Sequence, residues 1–272
     1  MKLHALLAEL DLRVDAALAG VEITDVVSDS RRVTNGALFV AIDGARSRGV
    51  DHIPAALERG AVFVVATERL ADTVPHVVVA DCRRAIGVLA SAFHGHPSRQ
   101  LKVLAITGTN GKTTVANLVA QLLRAHGCKT AAIGTLGVVT EDGVQAGKLT
   151  TPECADLHRT LAQLAADGVT HVALEASSHA LDQRRLAGLR VAAAVWTNLS
   201  HDHLDYHGEM AAYAAAKSLL FTELLAKGAP GFVYGDDLSA RSIAELPCVS
   251  AWSHGANTDA DHQLAGVESS EA

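Results

Sequence analysis

Leu104-Ala105-Ile106-Thr107-Gly108-Thr109-Asn110-Gly111-Lys112-Thr113-Thr114 decides the fold. An apolar strand runs into a loop of small residues, and the loop opens a helix. Glycines let backbone approach an anion closely, and a helix N-terminus offers free N–H groups and positive potential. Lys112 can reach the terminal phosphates of a nucleotide, and the Thr113 hydroxyl can hold a magnesium ion. The longer pattern G-x-x-x-x-G-K-[ST] would need glycine where Ile106 stands, so the match is to the shorter G-x-x-G-K-T-T. The competing reading is a glycine-rich turn with an ordinary lysine. Strand, loop, Lys-Thr and helix in that order favour a phosphate loop.

Outward from this loop, short apolar runs alternate with helical runs. Strands are expected at 37–42, 61–66, 77–80, 101–107, 130–134, 171–175, 191–197, 231–234 and 249–252. Helices are expected at 53–59, 83–94, 112–126, 154–167, 210–226 and 238–245. Near-continuous apolar strands separated by amphipathic helices predict an α/β protein with mainly parallel sheets covered on both faces. His94-Gly95-His96-Pro97 breaks a helix just before a new strand, which predicts domains at 1–97 and 98–272. The weakly patterned residues after Trp252 read as an end inside a domain.

With 49% apolar residues in 272, a real core forms. The net charge of −7 with no basic stripe argues against nucleic acid. No apolar run approaches the ~20 residues of a membrane span. Cys82, Cys128, Cys154 and Cys248 form no C-x-x-C pair and read as isolated reduced thiols.

Three further segments carry chemistry. Glu175 ends an apolar strand, where a carboxylate faces the ligand crevice of a parallel sheet; a capping role is the alternative. Asn198-Leu199-Ser200-His201-Asp202-His203-Leu204-Asp205-Tyr206-His207 gathers imidazoles and carboxylates just after another strand. It suggests magnesium or manganese beside phosphate, against an ordinary polar turn. Lys217 follows an alanine run. Composition alone favours a surface lysine; the sharper reading is a buried amine whose pKa is depressed so that it takes up CO2 as a carbamate.

Together these motifs resemble the Mur ligases of peptidoglycan synthesis: 107–114, Glu175-Ala176-Ser177-Ser178-His179, Thr197-Asn198-Leu199, Asp202-His203-Leu204-Asp205-Tyr206-His207 and Ala215-Ala216-Lys217. Asp29-Ser30-Arg31, Gly36-Ala37-Leu38-Phe39-Val40-Ala41, Thr150-Thr151-Pro152 and Gln183-Arg184-Arg185 narrow the resemblance to the branch that adds a diamino acid to UDP-N-acetylmuramoyl-L-alanyl-D-glutamate. It implies a small N-terminal UDP-binding α/β domain and a P-loop-like central ATPase domain. It also implies a cytoplasmic, monomeric, ADP-forming ligase acting through an acyl phosphate.

By resemblance, Gly108, Thr109, Asn110, Gly111, Lys112, Thr113 and Thr114 bind ATP. Thr113, Glu175, His203 and a carbamylated Lys217 hold Mg²⁺, or Mn²⁺; Lys112, Glu175, His203 and Lys217 serve catalysis. Ser28, Ser30, Ala45, Arg46 and Ser47 lie along the UDP end of the substrate, although Ser28 and Ser30 alone read as turn residues. Thr150, Thr151, Ser177, Gln183 and Arg185 contact its muramoyl-dipeptide. The partners are UDP-N-acetylmuramoyl-dipeptide and a diamino acid, either meso-diaminopimelate or L-lysine; alanine-rich composition leans to the former. The family carries Asn where Tyr234 stands before Gly235-Asp236-Asp237. It also carries a C-terminal domain without which this chain is not expected to turn over. The alternatives are another Mur-type or folylpolyglutamate-like ligase, a non-catalytic nucleotide-binding module, and a small-molecule kinase.

Overall fold

The run Ala37-Leu38-Phe39-Val40 is buried at every position, which a strand achieves only with both faces covered. The computed structural model describes residues 1–44, 47–236, 250–255 and 261–263. These form two compact units. The first holds residues 1–97 together with 153–163 and 184–189, and the second holds the rest.

In the first unit, β1 (Asp25–Val27), β2 (Ala37–Val40), β3 (Phe63–Ala66) and β4 (His76–Val78) form a parallel sheet in that order. Side chains alternate between its two faces. Val26, Leu38, Val40, Phe63 and Val65 join one core with the helices Leu3–Ala8 and Cys82–Phe93. Val27, Phe39, Val64 and Ala66 join another with the helix Ile53–Glu58. Asp81 starts the Cys82–Phe93 helix by accepting from the N–H groups of Arg83 and Arg84.

Residues 153–163 and 184–189 are tied into this unit by charge and by close packing. Arg159 reaches Asp25 and Asp156, and Arg32 also binds Asp156. A Cβ on Gly87 would lie 2.4 Å from the Cβ of Ala187, so glycine alone permits that approach. His158 is fully buried and shares a 2.9 Å hydrogen bond with the Ala187 carbonyl. A carbonyl can only accept, so Nε2 carries the proton and Nδ1, which has no partner, does not.

The second unit is built on a nine-stranded sheet. Its members are β5 (Lys102–Thr107), β6 (Thr130–Gly134), β7 (Gly137–Thr140), β8 (Gly143–Gln145), β9 (His171–Glu175), β10 (Val191–Trp196), β11 (Pro230–Tyr234), β12 (Ser250–Gly255) and β13 (His262–Gln263). The order is β13-β12-β11-β10-β5-β9-β6-β7-β8. Among the described residues of this sheet, β6–β7 and β7–β8 are the antiparallel pairs and the others are parallel. The chain leaves β5 to one side for β6 and later returns to its other side as β10. A sheet whose connections diverge in this way opens a crevice at the carboxyl ends of its central strands. The helix Lys112–Ala125 covers one face through Ala116 and Ala120 against Ile106, Ala132 and Ala173. Small residues on both sides let helix and sheet approach closely.

Several boundaries differ from the sequence reading. The helix expected over 210–226 ends at Leu219 and continues as a π-type turn over Leu220–Leu224. The polar stretch after β10 contains a short helix, Leu204–His207. β1, β7, β8 and β13 were not expected. The helix expected at 238–245, residue 249 of the last strand and Cys248 lie outside the described residues. Cys82, Cys128 and Cys154 are free thiols, and burial pushes Cys82 and Cys154 up to about 12. Among the described residues no helix is long and apolar enough to cross a membrane.

Burial lowers the His158 pKa from 6.5 to about 4. The folded state therefore refuses a proton that the unfolded chain accepts, and stability present above pH 6.5 is lost as pH falls toward 4. His158→Gln removes this dependence. Urea denaturation at pH 7 and pH 4 should show wild type losing about 3 kcal/mol more than the variant. Parallel losses in the two proteins would contradict the assignment.

Candidate functional site

The site is assembled where β5, β6, β9 and β10 end. In the parallel register Ile106 lies beside Glu175, and Thr107 lies beside Trp196. The ladder runs one step further, with Ala176 N–H donating to Ile106 O and Thr197 N–H donating to Thr107 O. The carboxylate, the start of the small-residue loop and the segment after β10 are thus fixed side by side by backbone pairing.

The loop itself requires its glycines. Gly108 has φ +144°, and a Cβ there would lie 1.9 Å from Thr197 Oγ1. Gly111 has φ +83° and caps the Lys112–Ala125 helix without a side-chain hydrogen bond. The N–H groups of the first helical turn have no intrahelical acceptors and face outward with the positive end of the dipole. Lys112 Nζ folds over the loop, donating to Gly108 O at 2.9 Å and Thr109 O at 2.8 Å. Burial lowers its pKa, opposed by Glu175 and Asp202.

Glu175 is only 1% exposed. It accepts from Thr113 Oγ1 at 2.9 Å, Thr135 N–H at 2.9 Å and Thr135 Oγ1 at 3.3 Å. Its backbone carbonyl accepts from Thr151 Oγ1 at 2.7 Å. A Cβ on Gly134 would lie 1.9 Å from Glu175 Oε1, so the end of β6 must be glycine. These residues surround a cavity of about 370 Å³, lined by Thr109, Asn110, Gly111, Lys112, Thr113, Thr114, Thr135, Thr150, Glu175, Ser177 and His203.

His203 stands at the cavity edge with a left-handed backbone, φ +51°. It pairs with Asp202 and packs edge-on against His179. Lys217 corrects the reading from composition: it is 1% exposed, not a surface lysine. It lies beneath the loop rather than in the cavity wall. Its Nζ donates to Gly108 O at 2.8 Å and sits 4.2 Å from the centre of the Tyr213 ring. Burial, then the nearby Lys112 charge, lower its pKa to about 7. Among the described residues no group of three or more His, Cys, Asp or Glu side chains is arranged to share a metal ion.

The remaining expected residues divide between the units. Ser28 lines a small pocket of the first unit with Asp29, Arg32 and Asp156. Ser30 begins a 3-10 turn whose N-cap is Asp29, and Ser47 Oγ is 3.0 Å from His52 Nε2. Arg185 pairs with Glu153 in the same unit. Ala45 and Arg46 lie outside the described residues. In the second unit Thr150, Thr151 and Ser177 stand beside Glu175, while Gln183 Nε2 donates to Tyr206 Oη. Thr135 and Tyr213 were missed. Thr135 follows a strand at the same edge as Glu175, which was an available signal. Tyr213 lies one turn before Lys217 on a helix whose buried face the sequence does not mark.

Residues 106–272 match the Mur ligase middle domain, and residues 22–94 match the Mur ligase family, catalytic domain. A ligase of Rhizobium meliloti named UDP-N-acetylmuramoyl-L-alanyl-D-glutamate–2,6-diaminopimelate ligase is 45% identical over 239 residues, covering 87% of this chain and 49% of its own. One of the same name from Brucella melitensis is 46% identical over 228 residues, covering 82% and 46%. A solved structure of that name superposes with a TM-score of 0.83 at 30% identity, covering 96% of this chain and 54% of its own. MurF from Acinetobacter baumannii shares the fold, with a TM-score of 0.60 at 21% identity over 92% of this chain and 52% of its own. The chain spans about half the length of the curated relatives it matches.

Gly134→Ala drives a methyl group into the buried carboxylate and should cost at least about 2 kcal/mol in urea denaturation. Gly20→Ala, where nothing lies within 4 Å, should cost less than about 0.5 kcal/mol. Equal effects would contradict the packing described around Glu175.

Proposed function

We propose that this chain, which belongs to the Mur ligase family, forms the UDP-substrate and ATP units of a ligase that adds a diamino acid to UDP-N-acetylmuramoyl-L-alanyl-D-glutamate. The observation that carries this reading is one cavity walled by Lys112, the Gly111–Thr114 helix start and the buried Glu175. Phosphoryl transfer asks a protein for positioning and charge neutralisation rather than covalent chemistry, and that is what this wall offers.

In the proposed reaction a γ-carboxylate oxygen of D-glutamate attacks the γ-phosphorus of ATP. The bond to the bridging oxygen breaks, and ADP leaves. The amine of the diamino acid then attacks the acyl carbon of the acyl phosphate. Phosphate departs, the nitrogen loses a proton, and an amide remains. Gly111–Thr114 N–H groups and the Lys112 side chain hold the phosphate oxygens; burial lowers the Lys112 pKa, and the nearby Glu175 and Asp202 carboxylates oppose that shift. Thr150, Thr151, Ser177, Gln183 and Arg185 orient the muramoyl-dipeptide, and Ser28, Ser30, Ala45, Arg46 and Ser47 orient the UDP end.

Magnesium or manganese fits the chain. Glu175 is buried, and its hydrogen-bond partners Thr113 and Thr135 are neutral, so a cation would compensate its charge. Thr113, Glu175 and His203, which line the cavity, would hold such ions, and Lys217 as a carbamate would join them only by giving up its hydrogen bond to Gly108 O; the ions when bound neutralise charge on the phosphate oxygens. Burial, then the nearby Lys112 charge, bring the Lys217 pKa down to about 7, which favours the neutral amine relative to a lysine in water. An unprotonated nitrogen there can add CO2 and lose a proton, turning a neutral amine into an anionic carbamate.

The 45% identity to a diaminopimelate-named ligase over 87% of this chain supports the diamino acid branch. The names carried by the Rhizobium meliloti and Brucella melitensis relatives support diaminopimelate over lysine. UDP-linked precursor and ATP meet in the cytoplasm, where this reading places a monomeric enzyme.

Calorimetry of the chain with MgADP and, separately, with UDP-N-acetylmuramoyl-L-alanyl-D-glutamate tests the reading. Both should bind. Lys112→Ala should weaken MgADP at least about tenfold, since it removes charge-assisted hydrogen bonds, and leave the UDP-substrate unaffected. Absence of UDP-substrate binding together with MgADP binding indifferent to Lys112 would overturn it.

A further inference from the structure

Thr197-Asn198-Leu199 follows β10, and no role has been assigned to Asn198. Its side-chain amide grips both ends of the Asn110 backbone. Asn110 N–H donates to Asn198 Oδ1 at 3.0 Å, and Asn198 Nδ2 donates to Asn110 O at 3.1 Å. The opposite amide orientation would set N–H against N–H and oxygen against oxygen, so this pairing fixes it. The Asn198 backbone carbonyl also accepts from Thr109 N–H at 2.9 Å. Thr197 Oγ1 adds a 2.6 Å hydrogen bond to Asn110 O.

These contacts consume the N–H groups of Thr109 and Asn110. Both would otherwise be available to an anion at the loop. The N–H groups left for one are those of Gly111 to Thr114, at the start of the Lys112–Ala125 helix. Gly108 leaves room for the Thr197 hydroxyl in this arrangement, since a Cβ there would lie 1.9 Å from Thr197 Oγ1.

We propose that Asn198 is a positioning residue: it clamps the apex of the loop so that the polyphosphate tail of a nucleotide meets Gly111–Thr114 and not Thr109 or Asn110. This rests on the reading of the loop as a nucleotide cradle. Asn198 does not touch the phosphate in this account; it acts through Asn110.

The test uses the 272-residue chain, with MgADP affinity by calorimetry, the thermal midpoint, and amide hydrogen exchange at Asn110. Asn198→Ala removes both side-chain hydrogen bonds. MgADP should bind about tenfold more weakly, and Asn110 should exchange about tenfold faster while the thermal midpoint stays near wild type. Asn198→Asp keeps the acceptor for Asn110 N–H but sets a carboxylate against Asn110 O. Asn110 should stay protected in it, and MgADP should bind at least as weakly as in the alanine variant. If Asn198→Ala does not fold, the aspartate variant decides alone. Unchanged MgADP affinity with unchanged Asn110 exchange would overturn the proposal. If wild type itself binds no MgADP, the nucleotide reading fails, and Asn110 exchange still decides whether Asn198 holds the loop.

Discussion

The carboxylate of Glu175 is held between the hydroxyl of Thr113 and the backbone and hydroxyl of Thr135. That contact ties the end of β9 to the first turn of the Lys112–Ala125 helix and to the end of β6. A carboxylate removed from water must be satisfied by donors or a counter-charge. Here neutral donors satisfy it, which keeps it in place without cancelling its charge. Gly134 has to be glycine to leave it room. The cavity, the exposed helix start and the pose of Lys112 all follow from bringing these strand ends together.

A second set of contacts holds the other side of the loop. Asn198 grips Asn110, while Tyr213 and Lys217, one helical turn apart, reach Thr109 and Gly108. Holding the loop from outside leaves its inner surface to the ligand. Lys217 is taken out of water to make this contact, which is why its pKa falls to about 7.

Much of this was legible along the chain. Strand runs such as 130–134 and 171–175 are continuous in apolar residues because both sheet faces are covered. Gly108, Gly111, Lys112 and Thr113 announced the loop because phosphate chemistry fixes their spacing. β7 and β8 were not legible: Gly137–Thr140 and Gly143–Gln145 are short and glycine-led, the first half-buried and the second exposed, so no apolar period marks them. β1 spans only Asp25–Val27. The burial of Lys217 depends on what its helix packs against, and an alanine run carries no sign of that. The return of 153–163 to the first unit depends on Arg159 meeting Asp25, 134 residues away in sequence, and local pattern cannot show such a pairing.

The central claim is that the start of the Lys112–Ala125 helix cradles the phosphates of a nucleotide. A crystal structure of the chain with an unhydrolysable ATP analogue and magnesium tests it most directly. The account predicts phosphate oxygens within hydrogen-bond distance of the Gly111–Thr114 N–H groups and of Lys112 Nζ, with magnesium against Thr113 and Glu175. A nucleotide bound elsewhere, with that helix start free of phosphate, would contradict it.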